Sequence, residues 1–128
     1  MRLLLDTHTF MWWDSDPAKL SATALALCSD PTNELLLSVT SIWEMQIKYQ
    51  LGKLSLHVPL VEMISQQQAT NGVIILPILP AHVFALEHLP TPHRDPFDRL
   101  LVAQANSEGA TLVSADAIFA AYPVHIAW

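Results

Sequence analysis

Charge is what this chain has least of. Asp, Glu, Lys and Arg together make up 14% of its 128 residues, against roughly a quarter in an ordinary soluble domain. A chain so sparing of charge has little to leave on incidental surface, so a place where several charges gather carries information. The balance is acidic, with 12 Asp and Glu against 6 Lys and Arg and a formal net charge of −6. That excludes a protein that grips nucleic acid through a broad basic face. It does not exclude a nuclease whose acids are neutralised by divalent cations. Cysteine occurs once, so no internal disulfide can form, and the apolar setting ALALCSD makes Cys28 a buried structural thiol. No apolar run approaches the roughly 18 residues of a membrane span. The opening MRLLLDTHTF meets an acid at Asp6, too early for a signal peptide. The expected setting is the cytoplasm, with no membrane partner. At this length the chain reads as one domain, residues 1–128, and its 52% apolar content is enough for a real core.

What the chain does have is alternation. RLLL (2–5), LLLSV (35–39), VIILPI (73–78), TLVSA (111–115) and VHIAW (124–128) are short apolar runs that read as buried strands. Pro77 suits the third of them to a sheet edge. Between the strands lie helical patterns. Asp16-Pro17 starts one that continues through AKLSATALALCS. Ile42, Trp43, Met45 and Tyr49 fall at helical spacing in a second, stopped by Gly52. Others run from Pro59 to Thr70, from Pro80 to Leu89 and from Phe97 to Ser107, with DAIFAAY as a last short one. LPTPHRDP is a proline-rich loop. Strands apolar on both faces, alternating with helices, predict a parallel sheet covered on both sides. Chemistry in such sheets collects at the carboxyl ends of strands, where strand order reverses.

Several acids stand there. Asp6 follows the first strand and Asp116 the fourth, and each also reads locally as a helix N-cap or turn former. Ser114, two residues before Asp116, can bond a carboxylate. Glu44 closes a capping box with Ser41 as the cap, yet the same first turn points at the carboxyl-end crevice. HRDPFDRLLVAQA (93–105) holds two aspartates beside two arginines. Asp95 is the natural N-cap, with Pro96 at the first helical position, which leaves Asp98 surplus to capping and assigns it to the site. Bare carboxylates about 4 Å apart repel by roughly 4 kcal/mol at an effective dielectric near 20. A cluster of Asp6, Glu44, Asp98 and Asp116 therefore persists by protonation or by binding a hard cation. Oxygen-only donors suit Mg²⁺ or Mn²⁺, and the six histidines are scattered without a zinc spacing. Trp12, Trp13 and Trp43 read as core packing, and Lys48 and Lys53 as surface charges near a helix end.

The ordered set LLLDTHTF, SVTSIWEMQIKYQLGKL, HRDPFDRLLVAQA, TLVSADAIF and a final aromatic resembles the PIN-domain ribonucleases, and more narrowly the VapC-type toxins of bacterial toxin–antitoxin pairs. The resemblance covers nearly the whole chain. It implies a three-layer α/β/α sandwich around a five-stranded parallel sheet of order 3-2-1-4-5. It implies catalytic and metal-holding roles for Asp6, Glu44, Asp98 and Asp116, with Thr7 and Ser114 as their hydroxyl neighbours. It further implies Mg²⁺- or Mn²⁺-dependent hydrolysis of RNA, a cognate antitoxin protein and a homodimer. Arg94 and Arg99 are candidates for steering a phosphate, or partners of Asp95 and Asp98 in local ion pairs. Two other classes stand beside this one. A phosphoryl-transfer hydrolase also places an Asp after its first strand, but the second Asp expected two residues on is His8. A catalytically silent binding module of the same fold has no reason to keep all four acids.

Overall fold

Every strand of the sheet is built from residues that prefer to be dry. In a computed structural model of the chain, which describes residues 1–90 and 95–128, these are β1 (Arg2–Leu5), β2 (Glu34–Ser38), β3 (Ile74–Leu76), β4 (Thr111–Val113) and β5 (Ile126–Ala127). All neighbours pair in parallel, in the order β3-β2-β1-β4-β5. Leu3, Leu4 and Leu5 sit opposite Leu35, Leu36 and Leu37, so the two innermost strands present a leucine at each of these positions.

Side chains alternate across a strand, and here both faces are covered. Leu3 and Leu5 point into one core with Phe10, Leu35, Leu37, Met45 and Met63. Leu4 points into the other with Leu36, Leu101, Val102, Leu112 and Phe119. Truncating any of these buried leucines to alanine costs about 2–5 kcal/mol. Helices α1 (Thr7–Ser15), α2 (Ala22–Ser29), α3 (Val39–Gln50), α4 (Leu60–Asn71), α5 (Pro80–Ala85) and α6 (Pro96–Glu108) supply the outer layers. Gly72 and Gly109 end α4 and α6 at φ of 65° and 61°, a conformation in which any Cβ is strained. No helix among the described residues is long and apolar enough to cross a membrane.

Three local expectations are corrected. THTFMWWDS forms a helix of its own, α1, before the one expected at Pro17. Its threonines and tryptophans are indifferent helix formers, and the helix is held by the Asp6 cap and by burial of Phe10. Pro17–Lys19 is only a single 3₁₀ turn, and Ser21 recaps the chain for α2. DAIFAAY likewise contains a 3₁₀ turn, Ala117–Ala121, rather than an α-helix.

Candidate functional site

The chain runs outward from β1 to β2 and β3 on one side and from β4 to β5 on the other, so strand order reverses between β1 and β4. Asp6 leaves the sheet at that seam. Its backbone N–H donates to Val113 O at 3.2 Å, across to β4. Its carboxylate is fixed from two sides, with Oδ1 accepting from Thr9 N–H at 2.8 Å and Oδ2 from Ser114 Oγ at 2.5 Å. Asp6 is only 6% exposed, and its buried charge is tolerable because these donors and the N-terminus of α1 face it. Ser114 completes the link by accepting from Asp116 N–H at 3.0 Å. Asp116 then caps the following 3₁₀ turn through Ile118 N–H.

Glu44 reaches the same place from α3. Thr7 Oγ1 donates to its Oε1 at 2.6 Å, and Lys48, one turn further along α3, pairs with Oε2 at 3.2 Å. The expected capping box with Ser41 does not form. Ser38, at the last position of β2, is the N-cap of α3 and accepts from Thr40 N–H at 2.9 Å. Ser41 lies inside the helix, buried, with no hydrogen-bond partner for its hydroxyl among the described residues. The earlier start has a tertiary cause: Gln104 of α6 accepts from the hydroxyls of both Ser38 and Thr40. Glu44 is thereby released from capping and free to turn into the cleft.

From α6, Asp95 caps the helix by accepting from Phe97 N–H at 2.9 Å and Asp98 N–H at 3.4 Å. Asp6, Thr7, Glu44, Asp95, Asp98 and Asp116 line a single cavity of about 140 Å³, together with His8, Lys48 and Leu101. A larger cavity of about 460 Å³ beside Trp13 and Cys28 has Asp30 as its sole charged lining residue. Size does not pick the site; carboxylate density does. Cys28 is no nucleophile either, since burial pushes its thiol up to about 11.

Arg99 is the second correction at the site. Its guanidinium donates to Pro90 O at 2.6 Å and Leu86 O at 3.4 Å, tying α6 to the preceding segment, and it does not line the cleft. Arg94 lies outside the described residues. Three polar lining residues had no site role in the sequence reading: Lys48, His8 and Asp95, the last assigned to capping alone. The Lys48 signal was present, because a Glu and a Lys four apart meet on one helix face. Trp43, expected in the core, is 55% exposed and stands edge-on to Phe97 at 5.1 Å.

As a metal-holding set the acids are oxygen-only. Among the described residues no three His, Cys, Asp or Glu side chains converge into a ready-made cage. This arrangement fits Mg²⁺ better than zinc, because Mg²⁺ keeps several waters and takes only one or two carboxylates directly.

Known proteins share this architecture. The family model of the PIN domain matches residues 3–124. A curated relative, Ribonuclease VapC22 of Mycobacterium tuberculosis, is 30% identical over 115 residues, covering 89% of this chain and 86% of that protein. Among solved structures, VapBC2 of Rickettsia felis, bound to a DNA fragment from its promoter, is similar with a TM-score of 0.74 at 17% identity, over 99% of this chain and 98% of that one. FitAcB of Neisseria gonorrhoeae follows the same fold with a TM-score of 0.60 at 18% identity, over 97% and 95% of the two chains. The sheet order, the matched span and the identity to a curated relative agree: the chain belongs to the PIN-domain family, in its VapC-type branch.

Proposed function

We propose that this protein is a divalent-metal-dependent endoribonuclease and the toxin of a toxin–antitoxin pair. The observation that carries the reading is the meeting of Asp6, Glu44, Asp98 and Asp116, delivered by four separate elements, around one cavity at the carboxyl end of the sheet. The curated relative is named a ribonuclease, which supports the same chemistry here. Asp6, Glu44, Asp98 and Asp116 would hold Mg²⁺ or Mn²⁺. When bound, such an ion supplies an activated water and neutralises charge on a scissile phosphate.

The protein's own part is positioning. Ser114 and the first turn of α1 keep the Asp6 carboxylate from rotating, and Thr7 does the same for Glu44. Orienting contacts behind the ligands of this kind commonly matter 10- to 100-fold, by the rule that outer partners fix inner ones. Lys48 sets a standing positive charge against the acids and meets an RNA phosphate at the cleft wall. The solved neighbours from Rickettsia felis and Haemophilus influenzae are VapBC complexes. By analogy this chain has a cognate antitoxin, and we extend the reading to a homodimer.

The test is cleavage of a total RNA pool by the purified protein. Mg²⁺ or Mn²⁺ should switch cleavage on, a chelator should switch it off, and Asp98→Asn should lower it at least 100-fold while the protein stays folded. A folded wild-type protein that leaves RNA intact with either ion is instead a silent module of the same fold.

A further inference from the structure

Beside the acid cleft lies a second cavity, of about 290 Å³, lined by Asp6, His8, Trp12, Ala115 and Asp116. It shares Asp6, His8 and Asp116 with the cleft itself, so the two are continuous. Its remaining wall is aromatic. His8 and Trp12 stand one turn apart on α1, stacked with ring centroids 5.8 Å apart and planes 25° from parallel. Trp12 is supported from behind by the core and by Trp128, whose ring lies 5.9 Å away. His8 is exposed. The ledge therefore begins at the acid that caps α1 and runs along the helix away from it.

We propose that His8 and Trp12 form a stacking ledge for the nucleobase that flanks the scissile phosphate. The inference rests on the ribonuclease reading above and deepens it. The second cavity adds to the acids it shares with the cleft an aromatic wall, His8 and Trp12, and no described basic side chain other than His8; that wall fits the uncharged π-face that every base offers. A phosphate held at the acids leaves its neighbouring base within one nucleotide of the ledge. Bases inside a duplex already have both faces covered, so an aromatic ledge selects unpaired nucleotides. Selection by stacking is tolerant of base identity, so the ledge favours a strand state over a sequence.

The experiment is a cycle between protein and substrate. A short single-stranded oligoribonucleotide is cut in Mg²⁺ or Mn²⁺, the cleaved bond is mapped, and an abasic ribose is then placed at each flanking position. Trp12→Ala should lower kcat/KM on the intact strand roughly 5- to 140-fold, the range that aromatic-to-alanine changes give for stacked bases. Trp12→Phe should recover most of it. The abasic strand should be cut poorly by wild type and equally poorly by Trp12→Ala, because each change removes the same contact. His8→Ala, at an exposed site, repeats the cycle without disturbing the core, and thermal melts check both folds. The ledge is overturned if Trp12→Ala and His8→Ala penalise the abasic strand as much as the intact one, which marks a purely structural role. It is overturned in favour of protein docking if both variants cut RNA normally but lose a co-purifying partner protein. A wild-type protein that cuts no RNA removes the ribonuclease reading, and the ledge with it. One that cuts duplex and single strand equally well removes the ledge alone.

Discussion

At the amino ends of β1 and β2 each charge meets an opposite one, whereas at the carboxyl ends acids outnumber bases among the described residues. On the first side, Arg2 donates to Glu34 at 3.2 Å and to the carbonyl and carboxylate of Glu108. Glu108 also bonds His82 Nε2 at 3.0 Å, and His82 is 1% exposed. Leu79 N–H donates to His82 Nδ1, so the ring proton sits on Nε2 and points at Glu108. Gln104 extends the network inward from Nδ1 to Ser38, Thr40 and the Pro77 carbonyl. On the second side, Asp6, Glu44, Asp95, Asp98 and Asp116 share a cavity in which Lys48 is the sole Lys or Arg among the described lining residues. Buried polar groups stabilise a fold only when they are satisfied. The paired end meets that condition by ion pairs and hydrogen bonds; at the acid end Thr9, Ser114, Thr7 and Lys48 answer Asp6 and Glu44, and carboxylates still outnumber cations among the described lining residues.

The difference can be broken most sharply at Gln104. Its side chain is fully buried and serves both Ser38 and Thr40, the residues that start α3. Gln104→Ala should cost about 2–4 kcal/mol, since it strands buried hydroxyls and a carbonyl and opens a cavity. Denaturant midpoints at unchanged m-value would register this, and a loss under 1 kcal/mol would show the network to be incidental.

A smaller effect belongs to Asp95, which stands in the acid cleft yet works as a cap. Asp95→Ala should lose roughly 0.5–2 kcal/mol, and Asp95→Asn almost nothing, because Asn caps as well as Asp. Equal losses in both variants would mean that charge, not capping, is what the position supplies.

The pH response should differ between the two ends as well. The hydrogen bond from His82, helped by Arg2, holds the Glu108 carboxyl below its ordinary value of 4.5. A folded value below the unfolded one contributes stability that is present above about pH 4.5 and lost as pH falls through the folded value. Glu108→Gln should therefore flatten the fall in stability below about pH 4.5 relative to wild type. Parallel profiles over that window would remove Glu108 from the acid response.

How much of this could be read from the residues alone follows from the same physics. The leucine strands were legible because three apolar residues in a row, ended by an acid, admit few other structures. The acids were legible as a set for the opposite reason, that a chain poor in charge had no local use for all of them. Asp95 was legible as a cap but not as a cleft wall, because capping fully accounts for an Asp before Pro96. Ser41 was the cap read from the sequence; that Ser38, three residues earlier, takes the role is tied to Gln104, 66 residues from Ser38, which no local pattern reveals. Arg2 and Glu108, 106 residues apart, leave no trace in local pattern. Helix α1 was hidden by poor intrinsic formers and exists through its cap and its buried Phe10.

The smallest expected effect separates the two ends most cleanly. Lys48 pairs with Glu44 at 3.2 Å on a partly exposed helix face, and such pairs are worth about 0.2–1 kcal/mol. Lys48→Met should thus lower stability slightly without metal, because it removes the ion-pair partner of Glu44. Asp98→Asn removes one carboxylate from the cleft and with it one candidate ligand for the ion. An ion at free concentration c that binds only the folded protein stabilises it by RT ln(1 + c/Kd) and so raises its melting temperature. Mg²⁺ should then raise Tm more in Lys48→Met than in wild type, and less in Asp98→Asn. Arg2→Met, at the paired end, should lose a similar small amount of stability and leave the metal response as it was. Melts of the four proteins with and without Mg²⁺ or Mn²⁺ distinguish the cases. If the metal-induced rise is the same in all four, the surplus of carboxylates at the carboxyl end is not what a cation answers, and the two ends of the sheet are electrostatically alike.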